Sequence, residues 1–173
     1  TGSAKGTATI VATSSDGTLS VTNTEIATVA PSLFSAAATG QGTAVAVVQR
    51  VKSNGAISYE ATSRFDSNLG KLVPVPIDLS QPTDQVFLLL YATGVRNRSS
   101  LTGVTAKLGG TDAQVFFAGA TQEFVGLDQI NFELPPNVAN YGTLPVVVKV
   151  DEQPANSVTV DVTATEMASL SIA

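Results

Sequence analysis

Residues 124–135, FVGLDQINFELP, combine a β-strand pattern with a carboxylate that could do chemistry. Successive side chains of a strand point to opposite faces, so Asp128 shares a face with Ile130 and Phe132, and Gln129 lies on the other. A carboxylate on an apolar face must be paired, hydrogen-bonded or protonated. Asp128 is therefore either a catalytic acid or a structural tie that holds backbone N–H groups in place.

The composition offers few partners for a catalytic acid. Histidine and cysteine are absent, which removes the Ser-His-Asp and Cys-His constellations, imidazole zinc sites and disulfides. A glycosidase needs two carboxylates about 5 to 10 Å apart, and Glu123, Asp128 and Glu133 could contribute. Fourteen acidic residues in a β-protein produce such pairs by chance, however. We therefore expect a protein that is not an enzyme and that uses no cofactor and no metal.

The structural interpretation of Asp128 has a specific expected partner. Its carboxylate is predicted to accept backbone N–H bonds from a neighbouring loop or bulge, near the YATG segment at residues 91–94. Gln129 is expected to make similar backbone contacts from the outer face. Both residues would then lock two strands together.

Two mid-strand lysines raise a covalent alternative. Lys107 or Lys149 could form an isopeptide bond to Asn131 or Asn156, with Asp128 as the adjacent acid. Solvated lysines on an outward strand face are the simpler interpretation.

A short loop carries the densest positive charge of the chain. Arg96, Asn97 and Arg98 follow the end of a predicted strand, and they are a candidate contact within the loop at residues 94–100. A solvated turn explains the same residues. The NRS triplet is also a formal glycosylation acceptor, which has meaning only in a host that glycosylates it.

Composition restricts the partners. The net charge is −5 with no larger basic cluster, which argues against nucleic acid. The apolar runs are much shorter than the roughly 18 to 20 residues of a membrane-spanning helix, so we expect no membrane insertion. Tryptophan is absent and there are only three tyrosines, so glycan binding has weak support.

The elements that must position Asp128 are predicted to be short antiparallel strands. Stretches rich in Val, Thr, Ile and Phe alternate with turn signals, as is typical of an all-β sandwich. The Asp-Gly and Asn-Gly pairs at 16–17 and 54–55 provide the positive φ that tight hairpins require. Pro74 and Pro76 each remove a hydrogen-bond donor, which predicts a sheet edge or a crossover between sheets.

The stretch QVFLLLYATG, residues 85–94, is apolar on both strand faces. Phe87, Leu89 and Tyr91 share one face, and the alternate residues lie on the other. This pattern predicts a central strand with a layer packed on each side.

The first residues predict a hairpin that lacks a core of its own. Its apolar side chains are Ile10, Val11, Leu19 and Val21, each worth at most about 1.5 to 3 kcal/mol on full burial, and an isolated two-stranded hairpin is marginal in water. We expect the hairpin either to fold back over its own sandwich or to complete a sheet of a neighbouring copy by strand addition. The C-terminal tail has Leu170 and Ile172 in phase, compatible with a further assembly strand.

Four segments together resemble the uncharacterised C-terminal domain family of acidobacterial (Solibacter-type) secreted proteins. The segments are TEIATVAPSLFSA (24–36), QVFLLLYATGVRNRSSL (85–101), AKLGGTDAQVFFAG (106–119) and FVGLDQINFELP (124–135). The resemblance extends from about residue 25 to 163. It implies an extracellular, immunoglobulin-like sandwich and no assigned activity.

We therefore predict an all-β, immunoglobulin-like antiparallel β-sandwich with an extra N-terminal hairpin. The expected organisation is an N-terminal hairpin at 1–24, which is either a remnant of a preceding domain or an exchange element, a sandwich domain at 25–163 and a tail at 164–173 that could add a strand. The expected function is a non-catalytic extracellular or cell-surface structural module that forms a filament or matrix by strand complementation with copies of itself. The alternative is an accessory adhesion or ligand-binding domain of a larger secreted protein, with the hairpin lying on its own chain.

Overall fold

The computed structural model describes residues 4–122, 124–136, 138 and 142–163. These residues form an all-β fold of two packed sheets and two projecting hairpins, which confirms the predicted β-sandwich with an extra N-terminal hairpin. The immunoglobulin-like arrangement of strands stays a prediction. No helix within the described residues is long and apolar enough to cross a membrane.

The strands are numbered in chain order. They are β1 Gly6–Thr13, β2 Leu19–Ile26, β3 Ser32–Leu33, β4 Ala46–Val51, β5 Ile57–Ala61, β6 Ser63–Asp66, β7 Lys71–Pro74, β8 Ile77–Asp78, β9 Gln85–Thr93, β10 Val104–Leu108, β11 Thr111–Ala113, β12 Val115–Ala120, β13 Asp128–Glu133, β14 Gly142–Val150, β15 Gln153–Pro154 and β16 Val158–Thr163. A single 3-10 turn, Leu101–Gly103, precedes β10.

Two sheets form the sandwich. Sheet I has the order β11-β10-β14-β16-β8, with β15 beside β14, and sheet II has the order β12-β13-β9-β4-β5, with β3 beside β9. Nearly all pairs are antiparallel, as predicted, but β8 joins β16 in parallel. One continuous cluster of buried aliphatic side chains, with Phe132, fills the space between the sheets.

Alternation along the strands decides which residues enter this core. Val158, Val160 and Val162 of β16 are buried, as the sequence predicts. In β13 the side chains of Ile130 and Phe132 are buried and their neighbours are half-buried. The inner faces of the two sheets therefore cover each other.

The central strand β9 differs from the prediction on one side. Leu88 and Leu90 are buried in the core, but Phe87, Leu89 and Tyr91 on the outer face are only half-buried. The predicted second covering layer is absent from the described part of the chain. Among the described residues, the outer face of sheet II is therefore an apolar surface without a covering layer.

The chain leaves sheet II through a change of strand partner at Thr62. This buried hydroxyl donates to the carbonyl oxygens of Ala44 and Ala46. The segment AISYEATSRF has the pattern of one continuous strand, but Thr62 divides it into β5 and β6. β5 pairs with β4 before this point, whereas β6 pairs with β7 after it in a hairpin that projects from the sandwich. Pro74 ends β7, and β8 then enters the edge of sheet I, in agreement with the predicted crossover.

Replacement of Gly94 should destabilise the fold more than replacement of a turn glycine. Gly94 has φ +74°, and a Cβ atom there would lie 2.0 Å from the carbonyl oxygen of Ala30. Gly55 has a similar φ of +80° but open space around it. Backbone strain applies to both, and overpacking adds about 1 to 3 kcal/mol at Gly94 only. Urea unfolding of Gly94→Ala and Gly55→Ala measures the difference, and equal losses of stability would contradict the close approach of Gly94 to Ala30.

Candidate functional site

Asp128 lies at the start of β13 with its side chain fully buried. Its Oδ2 accepts hydrogen bonds from the backbone N–H groups of Val95 (2.7 Å) and Arg96 (3.2 Å). Its Oδ1 accepts from Nε of Arg96 at 2.8 Å and lies 2.7 Å from Nη2 of the same guanidinium. The carboxylate thus holds the loop directly after Gly94, next to the YATG segment from which donors are expected.

This arrangement positions backbone rather than a substrate. Both oxygens of Asp128 already have protein donors, and Nη2 of Arg96 also donates to the carbonyl oxygen of Leu127 at 3.0 Å. The loop before β13 and the loop after β9 are therefore fixed by one ion pair. Elsewhere in the described ranges, no group of three or more acidic side chains is arranged to hold a metal ion.

The expected backbone contact of Gln129 is not among the hydrogen bonds of the described residues. The Gln129 side chain lies on the outer face of β13, and its Nε2 donates to Oδ1 of Asn131 at 2.6 Å. Residues two apart in a strand share a face, so the two amides bond to each other along one strand. Gln129 is therefore a half-buried residue of the outer face, and its described side-chain hydrogen bond stays within β13.

The loop at residues 94–100, the candidate cationic contact, is partly engaged within the chain. The guanidinium of Arg96 is turned back onto Asp128, and the sequence pattern could not show this pairing because the two residues are distant in the chain. Asn97 is exposed. Arg98 is half-buried, and its Nε has no hydrogen-bond partner among the described residues.

The isopeptide arrangement is not assembled. Lys107 and Lys149 have exposed side chains in sheet I, where Lys107 Nζ lies 2.6 Å from Oδ1 of Asp112. Asp128 belongs to sheet II and bonds to an arginine instead. Asn156 uses its amide to hold the main chain of residues 33 and 40, so it too has a different role.

The N-terminal hairpin has the assembly residues on an exposed ribbon. β1 and β2 pair only with each other, and seven of the eight residues in each strand are exposed. Ile10, Val11, Leu19 and Val21 are 51%, 57%, 63% and 63% exposed. The expectation that the hairpin folds back over its own sandwich is therefore wrong in this structure. Leu170, Ile172 and the predicted tail strand lie outside the described residues, as does Glu123.

A groove on the outer face of sheet II was not found by sequence reasoning. Its volume is about 710 Å³, and its lining combines aromatic and aliphatic side chains with amides. The lining residues are Phe34, Val45, Tyr91, Phe117, Ala120, Thr121, Gln122, Phe124, Leu127, Gln129 and Asn131. Among these residues no side chain is charged. The only signal in the sequence was the two-sided apolar pattern of β9, because the other walls come from distant segments.

Arg50 is a buried cation that sequence reasoning missed. Its Nε donates to Oε1 of Glu60 at 2.6 Å, its Nη2 donates to the carbonyl oxygen of Asp78 at 2.8 Å, and Asp84 lies 3.7 Å away. The hydrogen bond to Glu60 is the main cause of a raised Arg50 pKa. These contacts join β4 and β5 to β8, so they connect sheet II to the edge of sheet I.

Comparison with known proteins gives no further identity. No protein-family model, no curated protein and no solved structure matches the chain. The resemblance to the acidobacterial family stays an expectation that depends on the four segments alone.

Loss of the Asp128 carboxylate should destabilise the sandwich. Asp128→Ala leaves two backbone donors and a guanidinium without their acceptor, so the free energy of unfolding should fall by about 1 to 3 kcal/mol. Asp112→Ala removes an exposed carboxylate with a similarly short lysine contact and should change stability by less than about 0.5 kcal/mol. Urea unfolding gives both values. A midpoint for Asp128→Ala that equals that of Asp112→Ala would show that the tie contributes nothing.

Acid should loosen the hairpin turn. The pKa of Asp16 is held at about 2, below the ordinary 3.8, mainly by the hydroxyl of Ser14 and by the N–H group of Thr18. A carboxyl with a lowered folded-state pKa stabilises the folded form above the unfolded pKa and loses that contribution as the pH falls. The protection of the Thr18 amide, corrected for intrinsic exchange, should therefore decrease between about pH 4 and 2. Asp16→Asn should remove this pH dependence, and constant protection in the unmodified chain would refute it.

Proposed function

We propose that this protein is a non-catalytic structural subunit that assembles with copies of itself by donating its N-terminal hairpin to the sandwich of the next copy. Repetition of this contact produces a filament or a matrix. The observation that carries the proposal is the hairpin β1–β2, a ribbon with exposed apolar side chains near its tip that pairs with no other described strand.

The energetic reason for assembly is that the apolar side chains of the hairpin are incompletely buried in one copy. Full burial of an aliphatic side chain contributes about 1.5 to 3 kcal/mol, and a two-stranded ribbon without a covering layer is marginal in water. Ile10, Val11, Leu19 and Val21 each retain more than half of their exposure. Most of the free energy of burying these side chains is therefore available to an intermolecular contact. A second copy of the chain can provide that contact without any other partner.

Low charge is compatible with close packing of copies. Only 13% of residues are charged, so two copies approach with little desolvation of ionic groups. The extracellular or cell-surface location belongs to the proposal and is supported by the family resemblance. The alternative, an accessory adhesion domain that contacts ligands through residues 94–100, has less support because Arg96 is engaged with Asp128.

Removal of the hairpin should abolish assembly without unfolding the sandwich. Analytical ultracentrifugation and electron microscopy should show concentration-dependent assemblies of the intact chain and a folded monomer for residues 25–173. The double variant Val11→Lys/Val21→Lys should behave like the truncated chain, because two cations on one face prevent its burial.

Phe65→Lys is the matched control. Phe65 is 64% exposed on the other projecting hairpin, so its replacement should leave assembly intact. An intact chain that stays monomeric at high concentration, or a truncated chain that assembles like the intact one, would refute the proposed function.

A further inference from the structure

The outer face of sheet II is an apolar surface that the described chain leaves uncovered. The strand register places Phe117, Asn131, Leu89 and Val47 side by side across four strands of this face. The sandwich interior covers the other face of these strands. A sheet that is apolar on both faces is normally covered on both, so this face has room for a further layer that the described residues do not provide.

The groove is the concave part of this face. Aromatic rings of Phe34, Tyr91, Phe117 and Phe124 form its walls, and the hydrogen-bonded amides of residues 129 and 131 lie between them. Phe34 and Phe117 remain 43% and 40% exposed. Concave apolar surfaces with a few polar groups are the common form of binding sites.

The hairpin is apolar near its tip and polar near its base. Register pairs Val11 with Val21 and Thr13 with Leu19, so Val11, Val21 and Leu19 share one face close to the turn. Towards the base, the same face has the hydrogen-bonded pairs Thr7–Glu25 and Thr9–Asn23. These three apolar residues are named the tip patch.

The tip patch is held away from its own sandwich. Val21 and Leu19 lie five and seven residues from Ile26 at the end of β2, which corresponds to roughly 17 to 23 Å at about 3.3 Å per residue. The following chain is anchored at once, because Val29 is buried and the N–H of Ala30 donates to the carbonyl oxygen of Gly94. The hairpin therefore presents its apolar end to the surroundings.

We propose that the tip patch of one copy packs into the groove on the outer face of sheet II of a second copy, where the hairpin adds a third β-layer. This inference rests on the proposed function and names its acceptor surface. Each copy has one hairpin and one groove, so the contact is head-to-tail and propagates into an open chain unless the rotation between copies closes a ring.

The distribution of charge supports the tip patch of a second copy as the occupant of the groove. The tip patch and the groove lining are both neutral, so no ionic group is stranded when they meet. Nη1 of Arg98 approaches the outer face of β12, at 3.4 Å from the position that a Cβ on Gly119 would take, and Nε of Arg98 has no described partner. Asp16 brings a carboxylate at the hairpin tip that is ionised at neutral pH. The proposed contact therefore brings an acidic tip towards a face that has a cation beside it.

Most sheet edges are less suitable than the groove as acceptors for an incoming hairpin. β8 and β11 contain two and three residues, and β12 has an irregular register between Val115 and Phe117. β5 is the remaining edge of sheet II, with Tyr59 exposed on the same outer face as the groove. Tyr59 therefore provides a control that separates addition at an edge from packing on the face.

Two blocked chains test the contact by complementation. Phe117→Lys blocks the groove and keeps the hairpin, whereas Val11→Lys/Val21→Lys blocks the hairpin and keeps the groove. Each should be monomeric alone, and their 1:1 mixture should form dimers that do not grow further. Tyr59→Lys should assemble like the intact chain. Circular dichroism establishes that each variant is folded.

Cross-linking gives a second measurement that needs only conservative changes. The chain contains no cysteine, so Val21→Cys and Phe117→Cys introduce one thiol each. When the two proteins are mixed under mild oxidation, docking should bring the thiols within disulfide distance. The yield of disulfide-linked heterodimer should then exceed the yield from a mixture of Val21→Cys and Tyr59→Cys by about tenfold or more.

The outcomes separate the two proposals. Assembly that survives Phe117→Lys but is lost on blocking the hairpin, with equal cross-linking to positions 117 and 59, overturns the groove as acceptor and keeps the proposed function. Monomeric intact chain overturns both. A monomer whose groove residues respond in NMR spectra to a neutral oligosaccharide assigns the groove to a glycan and also overturns this inference.

Discussion

A β-layer must be covered by another layer before its apolar side chains are out of water, and this constraint governs the whole molecule. The inner faces of sheets I and II satisfy it mutually, with Val146, Val148 and Val160 of one sheet facing Leu88 and Phe132 of the other in one core. The N-terminal hairpin and the outer face of sheet II do not satisfy it. The proposed assembly follows from joining these two surfaces across copies.

Two ion pairs, each with one buried partner, keep the sandwich fixed while its outer surfaces stay available. Asp128 with Arg96 secures the loops at one end of β9 and β13, and Arg50 with Glu60 secures β4 and β5 next to β8. A buried carboxylate or guanidinium with hydrogen-bonding partners on several segments specifies how those segments meet. A rigid sandwich then presents the groove as a preformed surface, so binding orders few additional groups.

The local sequence pattern was sufficient to predict some structural features and insufficient to predict others. Period-two alternation placed Asp128 on the buried face of β13 and the three valines of β16 in the core, because those choices depend only on neighbouring residues. Positive φ at Gly17 and Gly55 followed from their turn dipeptides. The Asp128–Arg96 pair, the division of a strand at Thr62 and the aromatic groove were not predictable in detail, because each is created by segments that are distant in sequence.

Hydrogen exchange at several protein concentrations measures the central claim directly. If copies cover each other's hairpins, the backbone amides of residues 6–26 become more protected as concentration rises, together with the amides around the groove, while those of the sandwich core stay unchanged. Hairpin amides that exchange at the same rate at every concentration would contradict assembly through this ribbon.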